Sequence, residues 1–252
     1  MGYLILIRHG ESRWNSMNKF TGWVDIPLNE VGIHEALICA KGLEGLRIDV
    51  AFTSKLQRAQ ETLLLILAKQ DYTGIFIHQT GNRKKWSMHH NKLWEDYEIP
   101  IYSNDALNER YYGELQGMNK DIARKTFGDE QVQKWRRSFD IRPPSGESLK
   151  DTMKRTVPYF KKHIMPSVKA GLNVIVSAHG NSLRAIIKEI DEISNEDIPN
   201  LELPTGKPII YKYFHGHLIK DNHQHSFDRP IHWTDKDRNK NKPKPKKYPK
   251  RV

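Results

Sequence analysis

Apolar and polar positions along the chain fall into two patterns that alternate, short apolar runs and helical repeats. The runs predict buried strands, at residues 3–7, 49–54, 99–107, 173–177 and 204–214. Apolar residues three or four positions apart predict helices, at residues 29–45, 55–69, 120–127, 130–139 and from Ser145 or Ser148 to about 165. Because strands and helices alternate, the pattern indicates an α/β domain.

Two predicted strands end in the same kind of polar junction. The first runs into Arg8, His9 and Gly10, and the strand at 173–177 runs into His179 and Gly180 at the start of a helix. Ligands of open α/β sheets bind beyond the carboxyl ends of the strands, and a helix N-terminus attracts anions. A solvated polar turn explains one such junction as well as a reactive site does, but two of them favour a shared pocket.

Two further candidates lie at comparable positions. Arg58 falls in the first turn of the helix after the second strand, and Glu109 follows the extended segment at 99–107. A pocket holding these side chains with both histidines could transfer a phosphoryl group through a phosphohistidine, with Glu109 moving the substrate proton. We expect the pKa of Glu109 to be shifted towards neutrality. No Walker-type or Asp-rich motif is present, so we expect no metal.

Composition restricts the setting of this chemistry. The chain has 252 residues and 37% hydrophobic content, and none of its apolar runs approaches the length of about 20 residues that spans a bilayer. The first run is too short for the core of a signal peptide. The single cysteine, Cys39, excludes an internal disulfide, and we expect it to be a small buried helix residue. These features favour a cytoplasmic protein that does not associate with membranes.

Most of the positive charge lies at the C-terminus. Of the net charge of +11, residues 235–252 supply +7, with nine Lys or Arg against two Asp. Alternating Lys and Pro favours an extended, solvated chain, so we expect disorder from about residue 235. Contact with nucleic acid through this tail is the lesser hypothesis. The four histidines between residues 215 and 225 lack the spacing of a designed metal site.

The segment at 70–100 has no clear period. It mixes Lys and Arg with histidines, including His89 and His90, and with Trp86 and Trp94. A nucleic-acid site or a metal site is conceivable there, but the absence of ligand spacing favours an insertion that packs its tryptophans on the body or on a second subunit.

Ten short segments together form a specific pattern. They are 8–12 (RHGES), 20–23 (FTGW), 107–110 (LNER), 112–113 (YG), 115–117 (LQG), 119–120 (NK), 135–138 (WRRS), 147–152 (ESLKDT), 178–184 (AHGNSLR) and 203–206 (LPTG). This set resembles the 2,3-bisphosphoglycerate-dependent phosphoglycerate mutases of the histidine phosphatase superfamily. The resemblance runs from about residue 3 to residue 214. The separation of Arg58 from Glu109 in the sequence is wider than in members of that family, which indicates an insertion at about 70–100.

The resemblance implies a fold, a reaction and an assembly. The fold is a three-layer α/β/α sandwich with a mostly parallel central sheet. The reaction is the interconversion of 3-phosphoglycerate and 2-phosphoglycerate, with 2,3-bisphosphoglycerate as the priming cofactor and no metal. The implied organisation is a catalytic domain at 1–214, a C-terminal extension at 215–252, and a homodimer or homotetramer.

The resemblance also assigns residues. His9 is the phosphorylated nucleophile, Glu109 the proton donor and acceptor, and Arg8, Arg58 and His179 complete the catalytic set. The residues it implies for substrate binding are Arg8, His9, Gly10, Glu11, Ser12, Asn15, Thr21, Gly22, Arg58, Glu109, Arg110, Tyr111, Tyr112, Lys120, Arg136, Arg137, Gly180 and Asn181. The main rival is a general histidine phosphatase or a bisphosphoglycerate phosphatase, in which water takes the phosphoryl group from His9. A broad phosphatase does not need the carboxylate clamp that Lys120, Arg136 and Arg137 would provide.

Overall fold

Seven strands form a single sheet in the computed structural model, which describes residues 2–78, 81–87, 95 and 97–221. The strands are β1 (Tyr3–Arg8), β2 (Val50–Thr53), β3 (Thr73–Phe76), β4 (Glu98–Ser103), β5 (Val174–Ala178), β6 (Pro208–Phe214) and β7 (His217–Lys220). Their order across the sheet is β3-β4-β2-β5-β1-β6-β7. The first five strands of this order run parallel, and β6 and β7 are antiparallel to their neighbours.

Eight α-helices connect the strands in the described part of the chain. They are α1 (Arg13–Ser16), α2 (Glu30–Gly42), α3 (Gln57–Lys69), α4 (Lys120–Phe127), α5 (Asp129–Arg137), α6 (Leu149–Tyr159), α7 (Met165–Lys169) and α8 (Gly180–Asp191). Short 3₁₀ helices lie at Asn82–Ser87, Asp105–Leu107, Gly113–Leu115 and Ile198–Asn200, and a π-helical turn, Phe160–Ile164, joins α6 to α7.

The central strand β1 shows why helices cover both faces of the sheet. Its side chains alternate between two buried clusters, with Leu4 and Leu6 on one face and Ile5 and Ile7 on the other. The first cluster includes residues of α8 and of the segment from α6 to α7, and the second includes residues of α2 and α3. The predicted three-layer sandwich with a mostly parallel sheet is therefore confirmed.

A third, smaller cluster stands apart from the sheet. It consists of Phe20, Leu115, Ala123, Val132 and Trp135, so it joins the loop after α1 to α4 and α5. Since α4 and α5 are short, this cluster is what anchors them beside the carboxyl edge of the sheet.

Several predicted element boundaries differ from those in the structure. The helix predicted to reach residue 45 ends at Gly42, the last predicted strand starts at Pro208 instead of 204, and the extended segment predicted at 99–107 is strand only to Ser103. The long helix predicted to end near 165 continues to Lys169 through the π-helical turn. Pro158 lacks the N–H that would close a helical turn, and Met165 donates to Phe160 in the wider π spacing.

Two strands were missed by the pattern. β3 lies in the segment at 70–100 that has no period, and β7 lies beyond residue 214. The turn before β7 is formed by His215 and Gly216, both with positive φ, the geometry of a tight two-residue hairpin. β7 is an edge strand that is largely exposed, so it lacks the apolar alternation that marks the buried strands.

The remaining expectations are met only in part. Cys39 is buried in α2, as predicted. Trp86 is 71% exposed and so does not pack on the body of this chain. His89, His90, Trp94 and the basic tail lie outside the described residues. No helix within the described ranges is long and apolar enough to cross a membrane.

Candidate active site

The two histidine junctions lie side by side at the carboxyl edge of the sheet. β1 and β5 are parallel neighbours, and the N–H of His9 donates to the carbonyl of Ala178 at 3.0 Å. His179 is the N-cap of α8. The centroids of the two imidazoles are 4.9 Å apart. The strand-end argument from the sequence therefore correctly brings the two rings together at this edge of the sheet.

His9 is held in its neutral form. Its Nδ1 lies 2.7 Å from the carbonyl oxygen of Gly10, so Nδ1 carries the proton. Its Nε2 accepts a hydrogen bond from Nε of Arg58 at 3.3 Å, so Nε2 carries no proton. Burial, followed by the charges of Arg58 and Arg8, holds the pKa of His9 well below its usual value.

Arg58 is fixed by main-chain carbonyls. This buried side chain extends from the first turn of α3 and donates to the carbonyl oxygens of Gly22 at 2.8 Å and Val24 at 3.1 Å. Burial lowers its pKa to about 10, so the guanidinium remains charged at neutral pH. Gly22 has a φ of +56°, and a Cβ there would lie 2.1 Å from the Gln116 side chain. Glycine is therefore needed where the loop holds Arg58.

Glu109 is buried in the same pocket, where its carboxylate accepts hydrogen bonds from three N–H groups. Its Oε1 accepts from the N–H of Arg110 at 2.8 Å and from Asn181 through the main-chain N–H at 3.1 Å and Nδ2 at 2.9 Å. Burial raises its pKa, but these hydrogen bonds and the charges of Arg58 and Arg8 outweigh that effect, so the pKa is lowered. The expected shift towards neutrality is wrong for this state of the pocket, since the donors bind the charged form.

Arg155 holds the loop that carries Glu109. Its guanidinium donates to the carbonyl oxygens of Asp105, Ala106, Asn108 and Glu109 at 2.9–3.1 Å. The same group pairs with the Glu147 carboxylate at 2.9 Å. Trp23 Nε1 also donates to the Glu109 carbonyl. The residues 105–109 are thus fixed from α6, a contact that the sequence analysis missed.

His179 lies behind the pocket and does not line it. Its Nε2 is 2.7 Å from the hydroxyl of Ser54, and burial, followed by the charge of Arg58, holds its pKa well below the usual value. A neutral ring at this position adds no charge to repel Arg8 and Arg58. The geometry therefore places His179 beside His9 as a fixed, neutral neighbour.

The pocket itself is a cavity of about 190 Å³ with a strongly cationic lining. Most predicted site residues line it: Arg8, His9, Asn15, Thr21, Gly22, Arg58, Glu109, Tyr112, Lys120, Arg136, Arg137, Gly180 and Asn181. Lys19, Phe20, Arg184 and Glu202 line it as well and were missed as site residues. The position of Arg184, one helical turn after Gly180 in α8, is the signal that could have identified it. Glu202 pairs with Arg137 at 2.6 Å.

Five predicted residues besides His179 do not line the cavity. The Gly10 N–H donates to Thr62, and a Cβ on Gly10 would lie 2.3 Å from the Gly32 carbonyl, so the glycine allows α2 to approach closely. Glu11 binds Asn29, and Ser12 caps α1. Arg110 is buried over the Tyr112 ring and donates to the Arg136 carbonyl. Tyr111 is exposed and rests edge-on against Trp23.

Several buried donors suit an anion. Among the described residues, Nε of Arg8 and the hydroxyl of Thr21 line the cavity and have no hydrogen-bond partner within the protein, and the same holds for Nε and Nη1 of the neighbouring Arg110. A Cβ on Gly180 would come within 3.8 Å of both Arg8 Nε and Glu109 Oε2. Glycine thus keeps open a cradle between these groups, and phosphate oxygens satisfy such donors.

Comparison with known proteins agrees with this geometry. The sequence matches the histidine phosphatase superfamily (branch 1) over residues 4–79 and 90–224. It is 52% identical over 237 residues to the 2,3-bisphosphoglycerate-dependent phosphoglycerate mutase of Methanosarcina acetivorans, covering 88% of this chain and 96% of that protein. It is 49% identical over 225 residues to the enzyme of the same name from Chlamydia abortus, with coverage of 87% and 97%.

Solved structures share the fold at low identity. Bacillus stearothermophilus YhfR superposes with a TM-score of 0.68 at 22% identity, over 87% of this chain and 95% of that one. A mycobacterial glucosyl-3-phosphoglycerate phosphatase in complex with VO3 gives 0.69 at 18% identity, over 87% and 96%. The shared fold, the sequence identities and the paired histidine junctions lead to one conclusion: the chain belongs to the 2,3-bisphosphoglycerate-dependent phosphoglycerate mutase family of the histidine phosphatase superfamily.

Proposed function

We propose that the protein interconverts 3-phosphoglycerate and 2-phosphoglycerate through a phosphohistidine at His9. The observation that carries the proposal is the unprotonated Nε2 of His9, held beside the charged Arg58 on the floor of a cationic cavity. A neutral imidazole can attack phosphorus, and fixed guanidinium groups can neutralise the charge on the transferred oxygens. The names of the close relatives support the same reaction.

The cavity residues fit the cofactor that the relatives' names imply. When bound, 2,3-bisphosphoglycerate supplies the phosphoryl group that primes His9. Arg8, Arg58 and Thr21 offer donors near the nucleophile, and Lys120, Arg136 and Arg137 offer cations farther out. Two separate sets of donors suit a ligand with two phosphates and a carboxylate, because either end can be held while the other reacts.

Glu109 moves the proton in this scheme. The lowered pKa makes it a carboxylate in the free enzyme, ready to accept a proton from a substrate hydroxyl. A phosphoryl group on His9 adds negative charge nearby, which raises the pKa of Glu109 and favours that proton transfer. The hydroxyl oxygen then bonds to phosphorus as the bond from phosphorus to Nε2 breaks. In the opposite direction Glu109 returns the proton to the leaving oxygen.

The outer cations distinguish a mutase from a phosphatase. A phosphatase needs only to release phosphate to water, whereas a mutase must retain a bisphosphate while it turns over in the pocket. Lys120, Arg136 and Arg137 line the same cavity as His9 and provide the charge for that retention. We also propose a cytoplasmic homodimer or homotetramer, which rests on family analogy, with the catalytic domain at 1–214 followed by the extension at 215–252.

A direct assay tests the function. Conversion of 3-phosphoglycerate to 2-phosphoglycerate is measured in EDTA, with and without a trace of 2,3-bisphosphoglycerate, for the wild type, His9→Ala and the exposed-site control His34→Ala. We expect activity that survives the chelator, depends on the bisphosphate, disappears in His9→Ala and persists in the control. Phosphate release without isomerisation, or turnover by His9→Ala, would overturn the proposal.

A further inference from the structure

A second cavity opens at the same edge of the sheet as the active site. It measures about 350 Å³ and lies at the carboxyl ends of β3, β4 and β2, which are adjacent and parallel. His78 follows β3, Ser103 and Asn104 come from the end of β4, and Lys55 follows β2. No residue lining this cavity also lines the active site. The size is that of a small-molecule site, and this edge is where α/β sheets bind ligands.

The lining of this cavity is basic. Lys55, His78 and Arg83 contribute to it, and none of the described residues that line it is acidic. Lys55 and Arg83 are exposed, so water solvates their charges, but a cleft lined by one sign of charge attracts counter-ions. The arrangement therefore favours a ligand that carries more than one negative charge.

The polar groups between the basic residues are suited to donate. Tyr102 and Ser103 contribute hydroxyls. The Oδ1 of Asn104 accepts from the N–H of Ala106 at 2.8 Å, so what this amide offers a ligand is its NH₂ group. Hydroxyl, amide and guanidinium donors together match the oxygens of phosphate and carboxylate groups.

Trp86 positions two of the basic residues. The Arg83 guanidinium lies over the indole at 5.2 Å from the centroid, and the His78 ring meets the same indole edge-on at 5.8 Å. Both Arg83 and Trp86 belong to the 3₁₀ helix Asn82–Ser87, within the residues 80–89 that the superfamily match leaves out. Arg83 therefore adds to the cavity from outside the matched fold, whereas the other lining residues lie within it.

We propose that this cavity binds a small organic anion with at least two phosphate or carboxylate groups. Lys55, Arg83 and His78 hold the anionic groups, while Ser103 and Asn104 donate hydrogen bonds from the strand ends. The site is independent of the mutase reaction, because its side chains are separate from those of the active site.

Pyrophosphate is a suitable probe. It is titrated into the full chain at constant ionic strength while the amide signals are recorded by NMR. We expect saturable shifts at Ser103 and Asn104 with a Kd of about 1 mM or tighter. Arg83→Glu should weaken the binding measured at these amides by about tenfold to a hundredfold, because it replaces a charged donor with a repelling carboxylate. Lys55→Gln should weaken it less.

The matched control is Arg136→Gln, which alters the active-site cavity alone and should leave the shifts at Ser103 and Asn104 unchanged. Equal shifts on adding potassium chloride, no saturation, or an unchanged Kd in both Arg83→Glu and Lys55→Gln would each overturn the proposal. Mutase turnover does not enter the readout, so this result is separate from the test of the proposed function.

Discussion

The floor and the rim of the active site are built in different ways. The floor holds the residues that we propose to be catalytic (Arg8, His9, Arg58, Glu109 and His179). It lies at the ends of β1 and β5, in the first turn of α3 and in the segment that follows β4, and four of its five side chains are buried. The side chains of the cationic rim (Lys19, Lys120, Arg136 and Arg137) are only half-buried. Three of them come from α4 and α5. Those two helices rest on the small cluster around Trp135, apart from the main sheet.

This difference separates two tasks. On the floor, hydrogen bonds to main-chain groups fix the side chains of His9, Arg58 and Glu109 before a substrate arrives, which favours the chemical step. On the rim, burial lowers the pKa of Lys120 and Arg136, with the neighbouring Arg136 charge also acting on Lys120. An added anion relieves that repulsion. We therefore expect changes to the floor to lower kcat and changes to the rim to raise KM.

The largest effect is expected from Arg155→Lys, which disturbs the floor without touching a substrate. Lysine keeps the charge but cannot bridge four carbonyls and the Glu147 carboxylate as the planar guanidinium does. Glu109 would then be misplaced, and kcat should fall about a hundredfold with KM nearly unchanged. Steady-state kinetics in both reaction directions measure this separation.

A matched control is Arg142→Lys. Arg142 is exposed and pairs with Asp151, which lies on α6, the helix that carries Arg155. The control substitution should leave kcat as in the parent. If Arg155→Lys raised KM and preserved kcat, the floor would not depend on this arginine, and the separation of the two tasks would fail.

A smaller effect is expected at the rim from Arg136→Gln. This change removes one cation from the cavity wall, so KM for phosphoglycerate should rise about tenfold while kcat falls less. The ratio of mutase to phosphatase activity should also fall, because a weaker rim retains the bisphosphate less well. Steady-state kinetics measure KM and kcat, and product analysis measures the ratio of mutase to phosphatase activity. Lys134→Gln, an exposed position on α5 paired with Glu130, is the control and should change neither.

The residues of the floor were easier to predict from the sequence than the residues that hold them in place. His9 and His179 could be brought together in advance, because each follows a buried strand and parallel strands end at one edge. Arg155 could not be found in this way, since it acts on carbonyl oxygens of residues about 50 positions earlier and its side chain reads as one more charge on a helix. Arg155 can reach these carbonyl oxygens only because α6 packs beside the loop at 105–109.

Electrostatic environments were the other gap. The pKa of Glu109 depends on its burial, on the main-chain N–H of Arg110 and on the side-chain amide of Asn181, and no residue pattern specifies these. β7 was missed for a related reason, because an exposed edge strand lacks the apolar alternation. Its signal lay instead in the turn at Gly216.

The smallest effect concerns stability, and it tests the burial of the floor. Because the pKa values of His9 and His179 are lowered in the folded protein, the unfolded chain binds more protons below about pH 6.5, where free histidine titrates. The free energy of unfolding should therefore fall as pH decreases from about 6.5 to 5, by at most about 1.4 kcal/mol per pH unit for each histidine. Urea unfolding at several pH values measures this slope. His9→Gln should remove the share of the slope that comes from His9, and His34→Gln, a histidine substitution at an exposed position, is the control. A His9→Gln slope equal to that of the parent would mean that folding does not lower the pKa of His9. Burial and the charges of Arg58 and Arg8 would then not be what keeps the ring neutral, and the organisation of the floor argued above would fail.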